Sequence, residues 1–458
     1  MNFKKTLAFA LALVMSVSLL AACGGNTGNN GGSANNGANA GGNGDSETTE
    51  TIQVAALASA YEETYPGMWQ EVCDAFTAET GIKVDLITDK NLEDVIGASM
   101  KAGEFPDFIH LSTGREDALT ESFIKDQGIE EVTDVLSMTI PGEDVVVGDK
   151  ILDGFTDSSV TNPYGDGKTY FAPMFYAPCG LFYNAGLLEE KGWEVPTTWD
   201  VMWELGDKAK AEGISLFAYP THGYLQEFTF ALIYAVGGPE FFNKVTNYEE
   251  GVWESDEGKQ VLDIIAKLAT YTDPTVPANA NNQDFTKNQQ LILDNKAVFM
   301  PNGTWVVGEM AEAPRAEGFE WGFTAIPAVT EGGDAYGVAW IEQAWIPAAA
   351  EHKDAAKQFM AFLYSDTAAE IFAKGSAIQP IAGITDGMTG DNALFYSIYD
   401  NGAKPAMGSW AATQPVEGVS IVETLCGSVN SLVSGTMTQE EWTAKIIEVN
   451  DILRENKM

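Results

Sequence analysis

The chain is 458 residues long, 45% hydrophobic and 11% aromatic, with 66 acidic against 25 basic residues. That is ample apolar material for a folded body, and a formal net charge of -41 excludes nucleic acid and anionic headgroups as partners of its surface. A free anionic substrate is disfavoured too, unless local basic groups overcome the field, whereas a neutral ligand meets no such barrier.

The first predicted element is "TLAFALALVMSVSLLAA", an uncharged run behind Lys4 and Lys5 that ends in small residues. Residues 1–22 have the pattern of an export signal, and the run is short for a membrane helix, which needs about 20 apolar residues. Leu20-Ala21-Ala22-Cys23 resembles the lipobox of bacterial lipoproteins. That resemblance implies that Cys23 is acylated, becomes the first mature residue and anchors the protein in the lipid bilayer, at the extracellular face of the cell membrane. Two or more acyl chains hold stably where one binds only marginally. The Gly/Asn-rich stretch of residues 23–51 offers nothing for a core and reads as a disordered tether, about 30 Å long on average. Loss of the signal removes two lysines and no acid, which leaves the mature chain at -43.

The roughly 400 residues that follow exceed one ordinary core and predict two lobes. "TIQVAAL" reads as a strand, and Trp69, Val72, Cys73 and Phe76 recur at helical spacing up to a stop at Gly81. "IKVDLIT" alternates as a strand, and a further helix leads through Pro106 to the strand "DFIHL". Strands alternating with helices predict a mostly parallel sheet, with ligands bound beyond the strand C-terminal ends. A second region opens with the extended, aromatic "YFAPMFYAPCGLFYN". Then come helices in "TWDVMWELGDKAKAEG", "LQEFTFALIYAVGG" and "ESDEGKQVLDIIAKLATY", and strands in "ISLFAY", "AVFMPNG" and "YGVAWIEQAWIP". One or two helices in "AAEHKDAAKQFMAFLYSDTAAEIFAK" and a last one in "TQEEWTAKIIEVNDILREN" complete the pattern. There is no internal repeat.

Beyond Cys23 the cysteines are Cys73, Cys179 and Cys426, far apart and without a CxxC spacing. They read as buried thiols, of which at most one pair could bridge. His110, His222 and His352 form no helical pair, so no metal site is expected. Neither a Gly-x-x-x-x-Gly-Lys phosphate loop nor a calcium-loop motif is present, so no cofactor is expected and any use of ATP falls to a partner.

The order of pieces resembles the extracellular solute-binding proteins of sugar ABC transporters, the family that includes maltose-binding protein. The resemblance rests on "FTAETGIKVDLI", "AGEFPDFIHL", "AVFMPNGTW", "IPAAAEHKDAAKQFMAFLYSDTAAEIF" and, most specifically, Tyr183-Asn184 followed by Pro-x-Thr-Trp at Pro196 to Trp199. "AVGGPEFF" and "DNKAVFMPNGTWVVGEMAEAPRAEGFEW" look most like the N-acetylglucosamine or diacetylchitobiose binders. The family implies an α/β fold of two lobes, residues 52–172 plus 336–384 and residues 173–335 plus 385–458. Crossing segments near Pro173, Tyr336 and Ile384 would join them around a ligand cleft. It also implies a monomer that binds carbohydrate without turnover and delivers it to an ABC transporter permease.

Sugars present C–H faces to aromatic rings and hydroxyls to polar side chains. On the family pattern Tyr61, Ser112, Thr113 and Arg115 line the first lobe. Tyr224 and Trp305 line the second. Trp340, Glu342 and Gln343 lie on or beside the late crossing segment. Trp410 sits in the polar loop "GSWAATQP", where an indole has little reason to be unless something covers it. Strand alternation allows only one parity on the cleft side, Trp340 with Glu342 or Ile341 with Gln343. Trp69, Trp199, Trp203, Trp345, Trp442 and Tyr183 read as core, and Asp107 as a structural cap. The rival readings are a surface-anchored glycan-processing enzyme with two carboxylates and a receptor for a non-sugar solute.

Overall fold

The computed structural model describes residues 50–457 except Gly114, Glu116, Asp117 and Asp157. Cys23 and the tether up to residue 49 therefore lie outside the described residues, whereas Thr51, taken from the sequence as tether, opens the first strand. No described helix is long and apolar enough to cross a membrane.

Among the described residues nine strands form one sheet: β1 (Thr51–Leu57), β2 (Lys83–Asp89), β3 (Phe108–His110), β4 (Ala172–Asn184), β5 (Ser215–Phe217), β6 (Ala297–Gly303), β7 (Trp321–Thr324), β8 (Tyr336–Trp345) and β9 (Lys404–Ala406). The order is β2-β1-β3-β8-β4-β6-β5, with β7 beside β4 and β9 beside β8. The outer pairs β1–β2, β1–β3 and β5–β6 are parallel, as the alternating strands and helices predict. The middle is not. β4 runs antiparallel to β8, β6 and β7, and β3 antiparallel to β8. The sheet is mixed because β4 and β8 each serve both halves of it. β8 pairs with β9 at Tyr336–Val338 and with β3 at Ala344–Trp345. β4 pairs with β8 up to Cys179 and with β6 from Cys179 onward, and Pro178 stands where it changes neighbours.

Helices cover both ends. Met68–Thr80 buries Met68, Trp69, Val72, Cys73 and Phe76, the stripe its spacing predicts, and ends at Gly81 with φ 79°. The left-handed conformation there costs glycine little. A long helix, His222–Thr246, starts on the Thr221 cap and is broken at Gly238, with φ 68°, just before Pro239. Proline removes a helical donor, so the break falls where the sequence permits it. Trp69, Trp199, Trp345 and Trp442 are all buried, while Trp203 is half-buried. Asp107 accepts from the backbone N–H of Gln53 and of His352, both at 2.9 Å, and so is a structural tie. Cys73, Cys179 and Cys426 are buried free thiols.

Candidate ligand-binding site

Residues directly opposite in an antiparallel pair share a face of the sheet, and neighbours alternate. Phe175, Ala177 and Cys179 of β4 stand opposite Glu342, Trp340 and Val338 of β8, and Cys179 also stands opposite Gly303 of β6. These residues therefore share one face. A Cβ on Gly303 would lie 2.2 Å from the Trp305 ring, so that ring sits on the same face. Trp340 and Glu342 share the face with Trp305, and Gln343 points the other way.

Gln343 is buried there and acts as a clamp. Its Oε1 accepts from the Thr113 N–H and hydroxyl at 3.0 and 3.1 Å, and its Nε2 donates to the Val160 carbonyl at 2.5 Å. Its backbone N–H donates to Ser112 Oγ at 2.9 Å. Ser112 and Thr113 are thus engaged in holding the loop after β3 to β8. Arg115 makes a two-pronged ion pair with Glu93 of the helix Leu92–Lys101.

At one end the face is closed by Tyr61, from the helix Ala60–Thr64, and by His110 at the end of β3. Both rings meet Phe175, at 5.4 and 5.3 Å. Burial, and then the charge of Glu342, raise the Tyr61 phenol well above its ordinary range. At the other end Tyr224, Glu227, Phe228 and Ala231 follow the i, i+3, i+4, i+7 spacing of one helix stripe, and they line a pocket with Cys179, Asn302, Trp305 and Ile326. Trp305 Nε1 donates to Tyr224 Oη at 3.3 Å. The enclosed space is about 10 Å³, room for a single water. Burial pushes the Glu227 carboxyl from the ordinary 4.5 up to about 7, against a partly compensating hydrogen bond with Gln226. Glu227 was not among the sequence candidates. In the sequence it stands beside Gln226 at the head of the apolar run "FTFALIYAV", where an acid draws no notice.

Between the two ends the face is open. Trp340 is 48% and Trp305 37% exposed, and no other described aromatic residue is among the exposed large hydrophobics. Two strand spacings separate β8 from β6, which puts their backbones about 10 Å apart. Trp410 is placed differently. It stacks on Tyr248 at 5.7 Å, tilts against Phe230 at 5.6 Å, and its Nε1 donates to Gln226 at 3.4 Å. What covers this indole is the protein's own long helix and the turn after it. Among the described residues no group of His, Cys, Asp or Glu could hold a metal ion.

The profile of the family described as "Bacterial extracellular solute-binding protein" matches residues 71–388. The diacetylchitobiose binding protein NgcE of Streptomyces coelicolor is 28% identical over 285 residues, 61% of this chain and 57% of that protein. A probable sugar-binding periplasmic protein of Mesorhizobium japonicum is 29% identical over 159 residues, 34% of this chain and 37% of its own. The chain thus spans less than two thirds of the length of these relatives. The solved bacterial solute receptor AcbH superposes with a TM-score of 0.67 at 16% identity, covering 89% of this chain and 99% of its own. RafE from Streptococcus pneumoniae gives 0.63 at 18%, covering 89% and 98%. The α/β fold of the solute-binding proteins expected from the sequence is therefore found, with a mixed rather than a mostly parallel sheet, and the chain belongs to the bacterial extracellular solute-binding proteins.

Proposed function

We propose that the protein captures a neutral sugar or oligosaccharide on the open face of β4, β6 and β8 and hands it to the permease of an ABC transporter, without chemical turnover. The observation that carries this is the pair of exposed indoles, Trp305 and Trp340, on one sheet face with the carboxyls of Glu227 and Glu342. Rings pack against sugar C–H faces, and carboxyls accept from hydroxyls. The net charge of -41 favours an uncharged ligand over an acidic one. NgcE is named for diacetylchitobiose, and one of the similar folds is a chitin oligosaccharide binding protein, which supports an N-acetylglucosamine-type ligand.

The lobe division at residues 52–172 plus 336–384 and 173–335 plus 385–458 belongs to this reading. It is supported by the helix Asp366–Lys374 packing on Met68–Thr80 and the helix Val429–Val433 packing on Asp256–Ala269. Anchoring through acylated Cys23, with the body working as a monomer at the extracellular face, completes it. The test is thermal shift of the soluble body with diacetylchitobiose, maltotriose, lactose and raffinose. A ligand that binds only the folded state raises Tm by mass action. Sugar recovered intact after incubation supports a receptor. Cleaved product would favour the glycan-processing enzyme, and no shift with any sugar would favour a receptor for another solute.

A further inference from the structure

His110 is 1% exposed, and its ring is held between Trp69 at 5.0 Å and Phe175 at 5.3 Å. Its Nε2 lies 3.2 Å from Oε2 of Glu342. Neither ring nitrogen has a hydrogen-bond partner of good geometry, and neither does Oε2, although all three atoms are buried. A buried polar atom without a partner costs free energy, so Nε2 and Oε2, facing each other across 3.2 Å, call for an explanation. The ionisable neighbours are few. Tyr61 comes from the helix Ala60–Thr64 and Glu342 from β8, while the helix Met68–Thr80 and β4 present Trp69 and Phe175.

We propose that His110 is a positioning residue for ligand binding: its Nε2–H fixes one oxygen of Glu342, so that the other, Oε1, is held toward the open face beside Trp340 as an acceptor for a ligand hydroxyl. Glu342 and Trp340 share that face by strand alternation. A carboxylate fixed at one oxygen loses less freedom when a ligand binds the other, which is the gain from preorganisation. The aromatic walls hold the imidazole ring in place, and among the described residues Glu342 alone gives it a polar contact. The proposal rests on the sugar-capture reading.

His110→Phe keeps the ring between Trp69 and Phe175 and removes the donor. With whichever of the four sugars gives the largest thermal shift, calorimetry should show an affinity loss of about tenfold in His110→Phe. In the Glu342→Gln background the same change should have little effect, because the pair acts as one unit. Equal losses in both backgrounds, or no loss in either, overturn the proposal. A second measurement needs no ligand. The His110 Nε2–H proton, followed by NMR at one fixed pH in the ligand-free protein, should exchange slowly with solvent in the parent and at least tenfold faster in Glu342→Ala, which removes the oxygen 3.2 Å away. An unchanged exchange rate overturns the pairing. If no sugar binds the parent, the sugar-capture reading fails, and the exchange rate still decides whether His110 engages Glu342.

Discussion

Replacing Glu227 with glutamine removes a carboxyl that the fold keeps in a small, mostly apolar pocket. Burial raises this group from 4.5 to about 7. A carboxyl raised on folding binds its proton more tightly in the native state, so it costs nothing below the unfolded value. The cost grows as pH climbs from 4.5 to 7 and is complete above 7. At about 1.4 kcal/mol per pH unit the full cost is about 3 kcal/mol. The other ionisable groups that line the pocket, Cys179 and Tyr224, are both moved away from that window. Burial raises the thiols of Cys179 and Cys426, the latter to about 12, and the phenol of Tyr224 also moves up. Glu227→Gln should therefore gain up to about 3 kcal/mol over the parent at pH 8 relative to its difference at pH 4. A buried amide left short of partners shifts both differences equally and cancels. Urea unfolding of both proteins at the two pH values, at unchanged m, measures this double difference. A stability difference that stays the same within about 0.5 kcal/mol between pH 4 and pH 8 would show that the Glu227 carboxyl is not held in a dry site.

Trp305→Ala and Trp340→Ala should each weaken sugar binding by about 1–3 kcal/mol in calorimetry while shifting the urea midpoint little, because both rings already face solvent. Trp410→Ala should do the reverse, costing about 2–4 kcal/mol of stability by denaturant melt, because its ring is stacked on Tyr248 and tilted on Phe230. Cys23→Ser should abolish fatty-acid labelling and leave sugar binding intact; full labelling of the serine variant would rule out the anchor.

The parts of the fold set by local pattern were legible in the sequence. The stripe Trp69, Val72, Cys73 and Phe76 gives its helix by spacing alone, and the aromatic, proline-marked segment at residues 172–184 declares a long strand. What needed the structure was long-range pairing. Alternation on β8 offers two parities, and only the register of Trp340 with Ala177 and of Cys179 with Gly303 puts Trp340 and Trp305 on one face. Trp410 sits in a polar loop, but its cover comes from Phe230 and Tyr248, far away in the chain. Ser112 and Thr113 carry the polar atoms a sugar would use, yet Gln343 engages them from the opposite face. Glu227 and His110 look ordinary in sequence, because what sets them apart is the apolar surroundings that folding builds.

The same register bears on how a ligand would close the site. One end of β8 is tied to β9 and the other to β3, so the strand carries Trp340 between two anchorages. Tyr61 and His110 stand on the β1–β3 side, and Tyr224, Glu227 and Trp305 on the β6 side. On the two-lobe reading proposed above, a small rotation at the middle of β4 and β8 would change the distance between these two groups. A ligand that touches both groups would then interact more strongly with the state that brings them together, and its differential affinity would be the whole of the force that closes the site. A ligand too small to reach from Trp305 to Glu342 lacks that differential. Small-angle scattering should therefore show compaction with an oligosaccharide that binds tightly and little with a monosaccharide that binds weakly. Equal compaction by both would place the closing contacts within one side of the face, and the two-sided reading of Trp305 and Glu342 would fall.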